Sequence, residues 1–202
     1  MKKPIQIGIT GGIGTGKSIV CKIFKVLKVP AYDADSRAKA VMTTDGILVE
    51  AIKKEFGTLS YKANGELDRD YLSKEVFSDE VKLKRLNALV HPRVAADYDA
   101  WLGKHTAQPY VLKEAALLFE SGSYKAMDKV LVVSAPLDLR IQRILSRDRH
   151  RNESQVRSIM ANQLAEEEKN KRADYRIEND EKHSVLAQAL QLHQQFLSLS
   201  TE

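Results

Sequence analysis

The sequence predicts an α/β fold in which a parallel sheet of about five strands lies between helices and carries two helical attachments. Three observations support this fold class. Short apolar runs alternate along the chain with stretches of helical periodicity, and a glycine-rich loop joins the first run to the first helical stretch. Two longer segments show helical periodicity only, which indicates insertions. Strands separated by helices form parallel sheets through right-handed crossovers.

Five strands are predicted from apolar runs bounded by turn-forming residues. They cover residues 5–10, 30–32, 110–115, 129–134 and 175–177. Helical spacing of apolar residues predicts eight helices between and beyond them. These cover residues 17–27, 35–42, 46–56, 70–76, 78–103, 136–146, 153–173 and 182–199.

The two attachments divide the chain into five consecutive parts. Residues 33–109 contain no convincing strand pattern and are interpreted as a helical insertion, and residues 136–165 as a second, arginine-rich attachment. The remaining parts, which together form the sheet-containing core, are residues 1–32, 110–135 and 166–202.

Composition limits the class of protein. The chain has 202 residues, of which 43% are hydrophobic and 29% charged, so it can bury a continuous core and is neither globally disordered nor fibrous. A single cysteine excludes an internal disulfide or a cysteine-based zinc site, and Cys21 is interpreted as a small buried apolar residue. No apolar run of about 18 residues occurs, which favours a soluble, cytoplasmic protein.

The positive charge of the chain is local. The net charge is +5, and residues 140–157 contain six arginines and only two acids. Such an excess indicates an anionic partner, which is a nucleic acid, a membrane surface or a phosphorylated small molecule.

The glycine-rich loop at residues 11–18, Gly-Gly-Ile-Gly-Thr-Gly-Lys-Ser, fits the phosphate-loop pattern G-x-x-x-x-G-K-[ST]. Its glycines allow successive N–H groups to turn inward and form an anion-binding nest at the start of a helix. Lys17 supplies a positive charge for the outer phosphates, and the Ser18 hydroxyl can bind Mg²⁺. The strand before the loop and the helix after it are the context that this motif requires.

The surroundings of the loop favour a small kinase over other phosphate-loop proteins. Switch GTPases carry an Asn-Lys-x-Asp guanine reader, and the nearest stretch here, at residues 170–174, is one residue too long. Motor-type ATPases place an acid after an apolar strand, whereas the strand at 129–134 ends in Ser134, and Glu114 follows a lysine. The class of phosphate-loop protein that remains is a small kinase with a helical acceptor-binding insertion and an arginine-bearing lid.

Three arginines of the second attachment share one helical face. Arg140, Arg143 and Arg147 recur at i, i+3 and i+7, so they can close over a triphosphate and stabilise its charge during transfer. A basic helix that binds nucleic acid is the alternative, and the phosphate loop favours the lid.

Asp33 and Asp35 directly follow the second predicted strand. Because the carboxyl ends of parallel strands face the ligand crevice, Asp33 is predicted to orient and deprotonate an acceptor hydroxyl. Asp35 can instead cap the next helix. Pro92 is expected to break or kink a helix and thereby aim His91 into a cavity, although a packed structural histidine is the commoner case.

With these residues in view, the sequence resembles the dephospho-coenzyme A kinase family nearly from end to end. The matching segments are Thr10 to Ser18, Asp33-Ala34-Asp35, 64–69, Val76-Phe77, Leu86-Asn87 with His91-Pro92, 116–120, Arg140 with Arg143, Arg147-Asp148 and Gln163, and 173–179. Two positions depart from the family pattern. Ala116 replaces a proline, and Lys113-Glu114 stands where a small or apolar residue and an aspartate are commoner.

The resemblance implies a phosphate-loop kinase core and phosphorylation of the ribose 3′-hydroxyl of dephospho-CoA, with ATP as donor and Mg²⁺ as cofactor, in the last step of coenzyme A synthesis. It also implies the site residues. The catalytic residues would be Asp33, Lys17, Arg140 and Arg143. ATP would be bound by Gly12, Ile13, Gly14, Thr15, Gly16, Lys17, Ser18, Arg147 and Asn179. Dephospho-CoA would be bound by Asp33, Arg69, His91, Leu118, Phe119 and Glu120, and Mg²⁺ by Ser18.

The expected partners are therefore small molecules, with no nucleic acid and no membrane, for a monomer or small homo-oligomer. Two alternatives remain open. One is a phosphate-loop kinase that acts on a nucleoside, a nucleotide or a shikimate-like alcohol. The other is a nucleotide-dependent nucleic-acid-binding protein, which is disfavoured because no aromatic residues alternate with the arginines to stack on bases.

Overall fold

Five parallel strands form one sheet in the computed structural model, which describes residues 3–77 and 79–199. The strands are β1 (Ile5–Thr10), β2 (Ala31–Asp33), β3 (Tyr110–Glu114), β4 (Lys129–Ser134) and β5 (Tyr175–Glu178). Their order across the sheet is β2-β3-β1-β4-β5, and every neighbouring pair is parallel. The predicted α/β class with a parallel sheet of about five strands is confirmed.

The described residues contain nine α-helices and two short 3-10 helices. The α-helices are α1 (Lys17–Val26), α2 (Ala34–Thr44), α3 (Gly46–Phe56), α4 (Arg69–Phe77), α5 (Glu80–Gly103), α6 (Leu137–Arg147), α7 (Glu153–Ala161), α8 (Glu166–Lys171) and α9 (Val185–Leu199). The 3-10 helices are Thr58–Ser60 and Ser123–Ala126. Among these helices, none combines the length and apolar character needed to span a membrane.

Three helical predictions differ from the structure. The helix predicted over 153–173 is two helices, because the N–H of Leu164 donates to the Glu120 carboxylate instead of to a helical carbonyl. The last helix begins at Val185, three residues late, because Asp180 accepts the N–H groups just before it. Helix α5 continues through Pro92 without a break, and His91 is exposed on it. The predicted start of that helix at residue 78 lies outside the described residues.

The chain divides into two compact units, Met1–Asp33 with His105–Glu202, and Ala34–Lys104. In the first unit, which we call the sheet unit, α1 and α9 cover one face of the sheet. Phe24 of α1 and Phe196 of α9 are fully buried there against Ile7 and Leu131. On the opposite face, α8 packs on β4. Apolar burial of this extent is the main stabilising contribution to such a core.

In the second unit, which we call the insertion unit, the described residues form helices and turns around their own core, with one isolated β-bridge between Tyr61 and Leu67. Apolar residues from α2, α3, α4 and α5 form this core. They are Val41, Leu48, Ile52, Phe56, Tyr61, Leu72, Leu86 and Val90. Polar contacts support it: the Tyr61 hydroxyl donates to the carbonyl of Met42 at 2.7 Å, and Asp45 pairs with Arg93 at 2.6 Å. The helical character predicted for this region agrees with these elements.

Candidate active site

The phosphate loop follows β1 and ends where α1 begins at Lys17. Gly14 and Gly16 have φ angles of 83° and 94°, a region that glycine adopts without strain. A Cβ atom at Gly16 would also collide with the side-chain nitrogen of Asn179. Lys17 Nζ donates to the carbonyl oxygens of Gly11 at 2.8 Å and Gly12 at 3.4 Å. The loop therefore has the backbone shape of an anion-binding nest, with the lysine folded against it.

Asp33 lies at the carboxyl end of β2 and is in register with Glu114 at the end of β3. Glu114 is also in register with Ile9 of β1, whose side chain is buried beneath α1. Residues in register on neighbouring strands point to the same face of a sheet. Both carboxylates therefore lie on the α1 side of the sheet, at the edge where the phosphate loop begins.

Cys21 contacts Glu114, one member of this carboxylate pair, and the sequence did not reveal this contact. Its side chain is 2% exposed and hydrogen-bonds to Glu114. Burial raises the pKa of the thiol, and the Glu114 carboxylate raises it further. The interpretation of Cys21 as a buried small residue holds, but the residue also has a polar contact. The signal in the sequence was its position four residues after Lys17, on the same face of the helix.

The three arginines that are predicted to belong to a lid have different partners. Arg140 is 7% exposed; its Nε donates to the carbonyl of Ile13 at 3.0 Å and it forms an ion pair with Glu166. Arg143 donates to the carbonyl of Asn179 at 3.0 Å. Arg147 is exposed and pairs with the adjacent Asp148, which raises the pKa of Arg147. At Arg140, protein groups take two of the guanidinium donors, and the closure of all three arginines over a triphosphate stays a prediction.

Asn179 directly follows β5 and links the segment after this strand to the phosphate loop. Its Nδ2 donates to the carbonyl of Thr15 at 2.8 Å, and its side-chain and backbone oxygens accept from Arg143. Asn179 and Arg143 are thus brought together beside Thr15. Thr15 is itself fully buried, and its hydroxyl donates to the carbonyl of Gly12 at 2.9 Å.

The segment after β3 contains three residues that the resemblance assigns to acceptor binding, Leu118, Phe119 and Glu120. Leu118 and Phe119 are buried, at 0% and 5% exposure, and their contact with an acceptor stays a prediction. Leu118 packs so closely that a Cβ at Gly8 would lie 2.7 Å from its Cδ2. The structure therefore places the two apolar residues in the packing of the sheet unit and away from solvent.

Glu120 is bonded within the protein. It forms a 3.0 Å ion pair with Lys169, which is 1% exposed, and accepts the N–H of Leu164 at 2.7 Å. Burial opposes ionisation of Glu120, but the Leu164 N–H and the Lys169 ammonium outweigh it and lower the pKa of the carboxyl. Lys169 was not singled out from the sequence because a lysine in a charged stretch usually points to solvent.

Two residues expected to bind the acceptor belong to the insertion unit. Arg69 is the first residue of α4 and is exposed, and His91 is exposed on α5. Arg69 lines a cavity of about 760 Å³ together with Lys39 and Lys62. These cations and the carboxylates beside them make a polar cavity within this unit.

The family model described as "Dephospho-CoA kinase" matches residues 5–184. A dephospho-CoA kinase from Burkholderia lata is 36% identical over 197 residues, which is 96% of this chain and 96% of that protein. One from Deinococcus radiodurans is 39% identical over 178 residues, 87% of this chain and 84% of that protein.

Two solved structures are similar over almost the whole chain. A crystal structure from Thermus thermophilus has a TM-score of 0.86 at 36% identity and covers 96% of this chain and 98% of that chain. A dephospho-CoA kinase from Campylobacter jejuni has a TM-score of 0.71 at 26% identity, with 96% and 97% covered. With a matching family model over most of its length and relatives well above 30% identity, the chain belongs to the dephospho-CoA kinase family.

Proposed function

We propose that the protein transfers the γ-phosphoryl group of ATP to the ribose 3′-hydroxyl of dephospho-CoA and so forms coenzyme A and ADP in the last step of coenzyme A synthesis. The observation that carries this proposal is the complete phosphate loop between β1 and α1, with Asp33 at the carboxyl end of β2 on the same side of the sheet. Membership of the dephospho-CoA kinase family supports the choice of acceptor.

The chemistry assigned to each group follows from its position. The loop of residues 12–18 forms the triphosphate site, with Lys17 moving its ammonium from the loop carbonyls to the outer phosphates. The acceptor oxygen attacks the γ-phosphorus while the bond from that phosphorus to the β–γ bridging oxygen breaks. The hydroxyl proton passes to the Asp33 carboxylate, and ADP leaves with the bridging oxygen. Transfer of this kind needs orientation of the hydroxyl more than strong basicity.

Arg143, Arg147 and Asn179 are proposed to contact the nucleotide. Arg143 and Asn179 already lie beside Thr15 of the phosphate loop, and Arg147 is exposed at the end of α6. An arginine near the transferred group stabilises the charge that it carries in the transition state. For Arg140 we propose a supporting role, since its guanidinium is bonded to Ile13 and Glu166.

Mg²⁺ is proposed as the cofactor, held by the Ser18 hydroxyl and the phosphates of ATP. Ser18 is exposed in the first turn of α1, next to Lys17, and offers the oxygen donor that Mg²⁺ prefers. Few protein ligands are needed, because Mg²⁺ keeps several waters and binds the nucleotide directly. When bound, the ion would neutralise charge on the β- and γ-phosphates.

The acceptor is proposed to be bound by residues of the insertion unit. Arg69, Lys39 and Lys62 surround one cavity and supply positive charge for a phosphorylated ligand, and His91 offers a second polar contact on α5. We further propose that the protein acts in the cytoplasm as a monomer or small homo-oligomer, on small molecules and without nucleic acid.

The ion pairs of the arginine-rich segment, residues 136–165, favour a lid over a surface that binds nucleic acid. Five of its six arginines contact groups of the chain itself, among the residues described. Arg140 pairs with Glu166, Arg143 with Glu181 and Arg157 with Glu153, and both Arg147 and Arg151 pair with Asp148. Charge that is paired in this way attracts phosphodiester backbones less than an open basic stripe does.

An ADP-release assay with Mg·ATP tests the proposal by comparing dephospho-CoA, a panel of nucleosides and nucleotides, shikimate, and no acceptor. We expect release only with dephospho-CoA, and coenzyme A as the product by mass spectrometry. A preference for another alcohol would show that the acceptor is wrong while the kinase chemistry stands. Equal release without an acceptor would contradict both.

A further inference from the structure

Both backbone polar groups of Ile13 are bonded to side chains that are distant in sequence. The Ile13 N–H donates to Oε1 of Gln163 at 2.9 Å, and the Ile13 carbonyl accepts from Nε of Arg140 at 3.0 Å. Neither bond belongs to the ordinary phosphate-binding chemistry of the loop. Together they fix the peptide planes on both sides of Ile13, because a planar peptide moves as one unit.

Arg140 is held firmly where it makes this contact. It is 7% exposed and paired with Glu166, and the other carboxylate oxygen of Glu166 accepts the N–H of Ala135 at 3.1 Å. Breaking a buried pair would leave an uncompensated charge, so the guanidinium has little freedom. The backbone of the loop also packs directly on this residue. A Cβ at Gly12 would collide with the Arg140 guanidinium, and one at Gly14 would lie 2.7 Å from the Arg140 carbonyl.

The position of Gln163 is also fixed through the next residue, Leu164. It lies between α7 and α8, and the next residue, Leu164, donates its N–H to Glu120 at 2.7 Å. Glu120 is anchored in turn by the buried Lys169. The short segment between α7 and α8 is therefore bonded to the phosphate loop through Gln163 and to the segment after β3 through Leu164.

The contacts of Arg140 and Gln163 join the phosphate loop to the two ends of the helix pair α6 and α7, which covers residues 137–161. Arg140 lies in the first turn of α6, and Gln163 follows the end of α7. The ion pairs of Arg147 and Arg151, by contrast, are with Asp148, inside the turn between the two helices. A rigid-body rotation of the pair would break the bonds to Ile13, whereas a movement of the turn alone would preserve them.

We infer that Gln163 and Arg140 are positioning residues that clamp Ile13 and so set the conformation in which the phosphate loop receives the triphosphate. The N–H groups of an anion nest bind well only when successive peptide planes converge. A loop released at Ile13 would have to be ordered by the nucleotide itself, which weakens binding. The inference rests on the proposed function, since it takes the loop as the nucleotide site.

Two substitutions at Gln163 separate the hydrogen bond from the packing. Gln163→Met keeps the length of the side chain and removes the acceptor, whereas Gln163→Glu retains an acceptor oxygen. We expect Gln163→Met to raise the Kd of Mg·ADP and the KM for ATP by about 5- to 10-fold, the loss of roughly one net hydrogen bond. The KM for dephospho-CoA stays unchanged, and Gln163→Glu restores most of the ATP affinity. Gln142→Met, on the exposed side of α6, is the matched control.

Amide hydrogen exchange at Ile13 tests the clamp without nucleotide, and the unmodified protein alone can overturn the inference. In the unmodified protein this N–H is expected to be protected, and Gln163→Met to exchange it at least about 10-fold faster. Rapid exchange at Ile13 in the unmodified protein would overturn the inference, as would Gln163→Met with unchanged nucleotide affinity. Failure of the unmodified protein to bind Mg·ADP would instead refute the proposed function, while exchange at Ile13 still decides whether the clamp exists.

Discussion

Asp33 and Glu114 stand side by side at the carboxyl ends of β2 and β3, in direct register. Both are carried by the sheet, so their positions depend on strand pairing and less on flexible loops. Cys21 hydrogen-bonds to Glu114 from α1, the helix that begins with Lys17. The carboxyl ends of these strands therefore bring two carboxylates next to α1, the helix that begins with the lysine of the phosphate loop, and each of these groups can be tested separately.

Replacing Asp33 should affect turnover and leave nucleotide binding intact. We expect Asp33→Asn to lower kcat by about 10²- to 10⁴-fold, the usual contribution of a positioned general base. The Kd of ATP should change by less than about threefold, because the amide keeps the shape of the side chain. Steady-state kinetics and calorimetric titration measure the two quantities. Asp35→Asn, at an exposed position of α2, is the control; an unchanged kcat in Asp33→Asn would remove Asp33 from the mechanism.

Replacing Lys17 should affect both nucleotide binding and turnover. Lys17→Met removes the charge that we propose to bind the outer phosphates, so we expect a higher KM for ATP and a kcat lower by about 10²-fold or more. Lys25→Met, an exposed lysine in the last turn of the same helix, should leave both constants nearly unchanged. Equal kinetics for the two variants would mean that the loop does not use its lysine.

The insertion unit should determine acceptor affinity. We expect Arg69→Ala and His91→Ala each to raise the KM for dephospho-CoA by about 10-fold, since each removes a polar or charged contact, with the KM for ATP unchanged. Arg85→Ala removes another exposed arginine of this unit, one that pairs with Glu55, and serves as the control. A rise in the KM for ATP alone would contradict the proposal that the insertion unit binds the acceptor and the sheet unit binds ATP.

Asp180 should make stability dependent on pH in the acid range. The N–H groups of His183 and Lys182 lower the pKa of this carboxyl to about 2 in the folded protein, below its ordinary value near 4. A depressed folded pKa means that the stabilisation is complete above about pH 4 and disappears as the pH falls through about 2. Urea unfolding should therefore show the wild type more stable than Asp180→Asn at pH 7. The gap should close in acid; a gap independent of pH would refute this assignment.

Cys21 should be almost unreactive in the folded protein. Its side chain is 2% exposed, and burial together with Glu114 raises the pKa of the thiol, so little thiolate forms at pH 8. Because the chain has one cysteine, the whole signal of a thiol reagent reports this residue. We expect reaction with a disulfide reagent to be at least about 100-fold slower than in urea. Comparable rates would show that the α1 side of the sheet opens readily.

Much of the fold could be predicted because its signals are local. The bounds of β1 and β4 match the predicted strands, since apolar runs flanked by turn residues mark strands that are buried on both faces. The break between α7 and α8 could not be predicted, because it depends on Glu120, which is 44 residues away from Leu164. Periodicity within a segment contains no information about a partner of that kind.

The candidate site shows the same limit. The phosphate loop and Asp33 follow from motif and strand position, which the sequence displays directly. The buried contacts of Arg140 and Glu120 do not, because both residue types are usually exposed and their partners, Glu166 and Lys169, come from one short helix late in the chain. Charge patterns on a helix indicate which face is polar, but not whether that face meets solvent or another element.

Residues 34–104 form one uninterrupted stretch that leaves the sheet unit immediately after Asp33 and returns to it before β3. A single continuous exchange of coding sequence could therefore replace the whole insertion unit while every strand and the phosphate loop stay in place. If the insertion unit binds the acceptor as proposed, selection could alter acceptor preference by acting on this one stretch while the phosphate loop stays unchanged. Chimaeras with relatives that join at these two junctions would then exchange acceptor preference without exchanging the phosphate loop.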